Sequence, residues 1–346
     1  MSTPSATSRS ASSDAELEEF AKTTATLKDA VARVVVGQAQ VVEEVLICLF
    51  AGGHALLEGA PGLGKTLLVR TLAEAMELRF SRIQFTPDLM PGDIVGTNVV
   101  VEDERGRKRF ELSRGPIFGQ LVLADEINRA TPKTQSALLE AMAEKSVTIA
   151  GTRHQLEEPF FVLATENPIE MEGTYPLPEA QLDRFLFKVI VPSPDEDTLV
   201  GIFDKTTGNA SAEVPRVVDG PKLLELRKLV RSVHVPDALT RYAARLVRAS
   251  DPSLETAAPV AKKFLRYGAG VRGGQSLLLA AKVHALFQGR PHVSFADLTR
   301  VATPSLRHRL IPSFEAEAEG VGTDAIVQRL LAEVPEMPAS VGRIAT

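Results

Sequence analysis

The sequence predicts a three-layer α/β domain with a parallel five-stranded sheet, followed by a smaller all-helical domain. Five short, nearly continuous apolar runs lie between residues 54 and 191: HALLEG (54–59), RIQFT (82–86), LVLAD (121–125), FFVLAT (160–165) and FKVIV (187–191). Runs of this kind suit strands covered on both faces, as in a parallel sheet lying under helices. Helical patterns separate several of them, and that alternation places helix layers on both sides of the sheet. Beyond PSPDED (192–197) the strand signals fade and helical periodicity takes over.

Taken in order, residues 1–14 are mostly Ser, Thr and Ala and read as a disordered arm. A helix comes next, from about Ala15 to Val34, with Asp14 as its N-cap. Gln40–Ala51 reads as a second helix, ended by Gly52-Gly53. TLLVRTLAEAM (66–76) and TPKTQSALLEAMAEK (131–145) are helical, the latter with Thr131 as N-cap and Pro132 at the first helical position. Two hairpins interrupt the alternation: TNVVVEDERGRKRFELSRG (97–115), with a charged tip, and VTIAGTRHQLEE (147–158), turning at Gly151. Residues 15–195 thus form the α/β domain and 196–346 the helical one. GPKLLELRKLVRS, DALTRYAARLVRAS, GGQSLLLAAKVHALFQG and DAIVQRLLAEV carry the helical pattern of the second.

Composition removes several classes of function. The 346-residue chain is 44% hydrophobic and 24% charged, ordinary values for a globular protein long enough for two domains. Its net charge of −5 gives no whole-chain pull toward nucleic acid, which is therefore not an expected partner. The single cysteine, Cys48, lies in the apolar run VVEEVLICLF and reads as a buried helix residue; it offers no disulfide and no cysteine metal site. The N-terminus lacks the apolar core of a secretory signal, and no apolar run reaches the roughly 18 residues of a membrane helix, so a cytoplasmic location is expected.

Residues 59–66, GAPGLGKT, match the phosphate-loop pattern G-x-x-x-x-G-K-[ST]. The apolar strand before them and the amphipathic helix after them are the context that pattern requires. Gly59, Gly62 and Gly64 let the backbone bend around phosphate oxygens so that its N–H groups point inward. Lys65 is the cation for the β- and γ-phosphates, and the Thr66 hydroxyl can hold Mg²⁺. Sixty residues on, LVLAD runs into Glu126. Asp125 fits the Mg²⁺ shell, partly through water, and Glu126 fits the base that orients the attacking water. The plainer readings are a glycine-rich turn and a buried strand ending in solvated acids.

These stretches resemble AAA+ ATPases of the helix-2-insert clade, and specifically the MoxR family. The resemblance covers about residues 30–345 and rests on VVVGQAQVVEEVL, HALLEGAPGLGKT, RIQFTPDLMPGDIVG, LVLADEINRATPKTQSALLEAMAEKSVTI, ATENPIEMEGTYPLPEAQLDRF and FLRYGAGVRGGQ. It implies a P-loop AAA+ domain with a helical lid, binding ATP and Mg²⁺ and hydrolysing the nucleotide in a hexameric ring. In that resemblance Val36, Gly37 and Gln38 pack against adenine, while Ala60, Pro61, Leu63 and Leu67 join Gly59, Gly62, Gly64, Lys65 and Thr66 around the nucleotide. Asn167 takes the sensor-1 place, although by itself Asn167-Pro168 reads as a turn. Arg184 takes the place of the arginine finger that enters the next subunit's site, its permanently charged fork suited to the transferred phosphoryl group. The alternative for Arg184 is a surface ion pair with Asp183 or Glu179. Arg272 takes the sensor-2 place within GAGVRGG, which departs from the commoner GASPRA-like form; a solvated helix-end arginine is its alternative.

The resemblance also implies a chaperone-like role in remodelling or maturing a protein partner, including one that carries a von Willebrand factor A domain. The two hairpins match inserts that face the pore in such rings, where Arg105, Arg107, Lys108 and Arg109 could touch substrate; a solvated tip is the alternative. A nucleic-acid motor of the same clade and an ATP-binding scaffold without hydrolysis are the competing functions. The acidic balance argues against the first. Intact Glu126, Asn167 and Arg184 argue against the second.

Overall fold

The structure, a computed structural model, describes residues 14–102, 106–168, 173–207 and 213–336. The arm expected over residues 1–14 lies outside them except for Asp14, which opens the helix Asp14–Ala32. The chain divides into two compact units. One comprises Thr26–Leu224 with Pro304–Arg309, and the other Met1–Ala25, Glu225–Thr303 and Leu310–Thr346.

The first unit contains strands β1 (Ala55–Glu58), β2 (Phe80–Gln84), β3 (Gly96–Glu102), β4 (Lys108–Arg114), β5 (Leu121–Asp125), β6 (Ser146–Ile149), β7 (Thr152–Gln155), β8 (Phe161–Glu166) and β9 (Phe187–Ile190). Five of them form the expected sheet, in the order β2-β5-β8-β1-β9, and every pairing in it is parallel. Position in the sheet tracks composition. LVLAD in β5 is buried from end to end, as an interior strand under two helix layers must be. The edge strand β2, FSRIQ, buries only Ile83 fully and leaves Arg82 and Gln84 exposed. Leu56, Val122, Ala124, Val162 and Ala164 of the sheet pack with Leu138, Leu139 and Met142 of the helix Pro132–Glu144 in one apolar cluster. That helix starts as expected, with Thr131 at the N-cap and Pro132 at its first position. The helix Ala39–Ala51 stops at Gly52, whose φ of 75° is the left-handed conformation that glycine adopts at no steric cost.

Both inserted hairpins are antiparallel ribbons. β3 pairs with β4 from Gly96 opposite Arg114 to Glu102 opposite Lys108. β6 pairs with β7 across Ala150-Gly151. The β3–β4 ribbon exposes most of both faces, and Phe110 (77% exposed) lies directly opposite Val100 (57% exposed). The charged tip dominates this segment as sequence, whereas its exposed apolar pair emerges only from the strand register. Arg105 lies outside the described residues; Arg107, Lys108 and Arg109 are exposed.

The first unit includes the helix Glu196–Thr207, which lines a cavity with Thr198 and Leu199. The short segment Pro304–Arg309 also belongs to it. Arg309 is 7% exposed; its guanidinium donates to Asp183 Oδ1 (2.7 Å) and to the carbonyls of Phe185 (2.6 Å), Leu186 (3.1 Å) and Asp183 (3.1 Å). A fork with five N–H donors suits a turn full of outward carbonyls.

The second unit is helical, as expected, apart from a ribbon of β10 (Leu265–Tyr267) with β11 (Ile311–Pro312). The amphipathic helix Asp237–Ser250 buries Leu239, Tyr242, Ala243 and Leu246, and Tyr242 meets Phe295 edge to face at 5.3 Å. The helix Val271–Phe287 buries Leu277, Ala280 and Ala281. Asp297 is fully buried. Burial raises its pKa, but hydrogen bonds from His284, Arg290 and Ser294 outweigh that and hold its carboxyl well below the usual range.

Candidate functional site

Neighbouring parallel strands end side by side, so the loops that leave them are neighbours too. β5, β8 and β1 are adjacent in the sheet. The chain runs from β5 into Asp125-Glu126, from β8 into Asn167 and from β1 into GAPGLGKT. Residues scattered over 108 positions of sequence are thus collected at the carboxyl edge of three adjacent strands, where open α/β sheets bind their ligands.

The loop that leaves β1 is shaped by its glycines. Gly62 and Gly64 have φ of 80° and 75°, and a Cβ added at either would meet nothing within 4 Å. Backbone conformation, not crowding, is what requires glycine at these two positions. Gly64 directly precedes the helix Lys65–Ala75, so the unpaired N–H groups of its first turn and its dipole favour an anion at the loop. The Lys65 ammonium donates to the carbonyls of Gly59 (2.6 Å) and Ala60 (3.0 Å). Burial lowers its pKa from the ordinary value, while the charges of Asp125 and Glu126 pull it back up.

The acids are held in a hydrogen-bonded network. The Thr165 hydroxyl, fully buried, donates to Asp125 Oδ1 (2.7 Å) and accepts the Glu126 backbone N–H (2.8 Å). Arg82 donates to Asp125 Oδ2 from Nε (3.1 Å) and Nη2 (2.7 Å). Glu126 Oε2 accepts from Gln84 Nε2 (3.2 Å) and Arg129 Nη1 (3.1 Å). Glu126 itself has φ 56° and ψ 52°, a left-handed conformation uncommon outside glycine and found where surrounding contacts impose it. Beside the network Asn167 is 5% exposed. Glu166, next to it, has its carboxyl raised by burial, partly offset by Lys188 and reinforced by Glu58.

Beside the loop lies a cavity of about 540 Å³, lined by Val36, Gly37, Gln38, Pro61, Leu63 and Leu67 together with Thr198, Leu199 and Phe203. Gln38 Nε2 donates to Leu63 O (2.7 Å), joining the two linings. At Gly37 (φ 72°) an added Cβ would stand 2.3 Å from Thr198 Cγ2, so only glycine allows the segment this close. A largely apolar cavity next to an anion-binding loop suits a flat heterocycle attached to phosphates.

Thr66 and Asp125 offer a hydroxyl and a carboxylate, the hard oxygen donors that Mg²⁺ takes. Among the described residues no group of three or more His, Cys, Asp or Glu could hold a metal. That donor set suits an ion shared with phosphate oxygens rather than one caged by protein.

Two expected positions lie on other elements. Arg184 lies just beyond the short helix Glu179–Leu182, and its Nη1 donates to the Leu139 carbonyl of the same chain. Asp183, one of the partners considered for it, pairs with Arg309. Arg272 belongs to the other unit, as the second residue of the helix Val271–Phe287. Sequence reasoning missed Arg82, Gln84, Thr165, Arg129 and Arg309. For the first three the only local trace is a place in or beside an apolar run; that their strands flank LVLAD emerges only with the order of the sheet. The contacts of Arg309 with residues 183–186 have no local signature.

Residues 54–187 match the family model of the ATPase family associated with various cellular activities (AAA), and residues 257–330 match that of the AAA lid domain. Over 306 residues the chain is 42% identical to "Chaperone MoxR1" of Mycobacterium tuberculosis, covering 88% of this chain and 80% of that one. It is 33% identical to "Protein MoxR" of Paracoccus denitrificans over 328 residues, covering 89% and 94% of the two chains. A crystal structure of a protein assigned as an ATPase in Cytophaga hutchinsonii superposes with a TM-score of 0.84 at 40% identity, covering 93% of this chain and 97% of that one.

Proposed function

Because the chain belongs to the MoxR family of AAA ATPases, we propose that it hydrolyses Mg-ATP within a ring of its own copies and uses the cycle to remodel or mature a protein partner. The observation that carries the reading is the convergence of the phosphate loop, Asp125-Glu126 and Asn167 at the carboxyl ends of three adjacent parallel strands. The backbone of Gly59–Thr66 cradles the phosphates, Lys65 pairs with their charge, and the base sits against Val36, Gly37 and Gln38. Thr66 and Asp125 hold the Mg²⁺, which neutralises charge on the phosphate oxygens when bound. Glu126 takes the proton of the attacking water, and Asn167 positions that water. Arg184 leaves Leu139 to reach a neighbouring copy's site, and Arg272 senses the nucleotide from the lid.

The name of the M. tuberculosis relative supports a chaperone-like role, and the family resemblance supports a partner with a von Willebrand factor A domain. Charge argues against a DNA-driven motor, since the net charge is −5. Phosphate release by the wild type against Lys65→Ala, at protein concentrations high enough for assembly, tests the reading. Lys65→Ala is expected to lose ATP binding, because it removes the side-chain cation aimed at the phosphates. Unchanged ATP affinity in that variant overturns the assignment of the loop.

A further inference from the structure

The two oxygens of Asp125 are held in different ways. Oδ1 accepts from the Thr165 hydroxyl at 2.7 Å, and Thr165 is fully buried on an interior strand. Oδ2 accepts twice from Arg82, at 2.7 and 3.1 Å, and the Arg82 side chain is 48% exposed on the edge strand β2. The first hold is locked by packing. The second comes from a long side chain with solvent on its outer side, which can swing away at little cost. The Arg82 Nη2 also donates to Gln84 Oε1 at 2.6 Å, which gives the guanidinium a second acceptor on its own strand.

We propose that Arg82 gates the divalent cation at Asp125: the guanidinium and the ion compete for Oδ2, so Arg82 sets how much cation is needed to charge the site. The proposal rests on the reading of Asp125 as part of the Mg²⁺ shell. Competition arises from sign and geometry. A guanidinium and a metal ion are both cations, both use the lone pairs of a carboxylate oxygen, and each lowers the negative charge that attracts the other. Thr165 makes the gate one-sided. With Arg82 gone, Asp125 stays oriented through Oδ1 while Oδ2 becomes available.

The test titrates Mn²⁺ into protein held in excess over ADP and reads the free ion by its EPR signal, so binding is measured without turnover. Arg82→Met keeps most of the apolar stem and removes the charge. It is expected to bind Mn²⁺ about two- to fivefold more tightly than the wild type, the span a half-exposed ion pair is worth. Arg82→Lys keeps the charge and is expected to stay within about twofold of the wild type. Equal or weaker Mn²⁺ binding by Arg82→Met overturns the gate and makes Arg82 an orienting partner of Asp125. Mn²⁺ binding that survives Asp125→Asn removes the premise instead, and the proposal with it.

Discussion

The carboxyl ends of β5, β8 and β1 and the ribbon β3–β4 belong to the same unit and are built in opposite ways. At the strand ends, Asp125 and Thr165 are buried and their polar atoms are paired, and even the backbone N–H of Glu126 is held by a side chain. In the ribbon, Val99, Val100 and Phe110 face solvent, and cross-strand pairing supplies most of what keeps the strands together. A single two-stranded ribbon is marginal by itself in water. The difference separates two kinds of duty. In the proposed function, residues at the strand ends serve fold and chemistry together, so changing one is expected to disturb both. In the ribbon Leu112 packs against the core cluster, whereas the exposed Val100 and Phe110 are expected to carry little folding load.

Substitutions at four positions follow, three of them within the regions compared. The largest effect is expected from Arg184→Ala, which removes the proposed finger and lies outside both regions. Its hydrolysis should fall by about 10³–10⁵ while each chain still binds ATP. Mixing it with Glu126→Gln should restore turnover at interfaces that pair an intact acid with an intact finger. A mixture that stays inactive in demonstrated mixed assemblies ends the trans role and leaves Arg184 with its Leu139 contact. Glu126→Gln alone should retain nucleotide and turn over at least about a hundredfold more slowly; near-normal rates in single-turnover assays would show that the base lies elsewhere.

Thr165→Val comes next and addresses fold and site together. It removes the donor to Asp125 Oδ1 and the acceptor for the Glu126 N–H, and should cost about 1.5–3 kcal/mol of stability in denaturant titration. Thr165→Ser should recover most of the loss. A Val variant as stable as the wild type would mean that the strand ends are no more constrained than the ribbon. The smallest effect belongs to Phe110→Ser, expected to change stability by less than about 0.5 kcal/mol and to leave basal ATP hydrolysis unchanged. A loss above about 2 kcal/mol would show that the ribbon carries folding load after all, and the contrast would fail.

Much of this protein was determined by sequence alone. The five apolar runs became the five sheet strands within a residue or two; for the interior strands β5, β8 and β1 the reason is that a parallel strand covered on both faces must be apolar on both, and little else in a chain looks like that. GAPGLGKT was legible for a similar reason: the left-handed conformations of Gly62 and Gly64 can be met by few residues other than glycine, so the backbone requirement is written as composition. Gly151 at the second hairpin obeys the same logic, with φ 81°. The ends of elements were legible wherever a glycine or proline enforced them, as at Gly52 and Pro132.

Tertiary structure alone decided which residues hold the acids. Thr165 lies 40 positions from Asp125 and Arg82 lies 43, and both contacts exist only because β8 and β2 flank β5 on either side. Strand order is a choice among topologies that similar apolar runs do not distinguish. The pairing of Arg309 with Asp183, across 126 positions, was likewise out of reach, since an arginine in SLRHRL carries no mark of whether it will face water or a distant turn. Local rules act on backbone conformation and on the period of burial, and both leave a trace in nearby residues. The partner of a polar side chain is fixed by where the chain returns, so it appears only once the sheet is assembled.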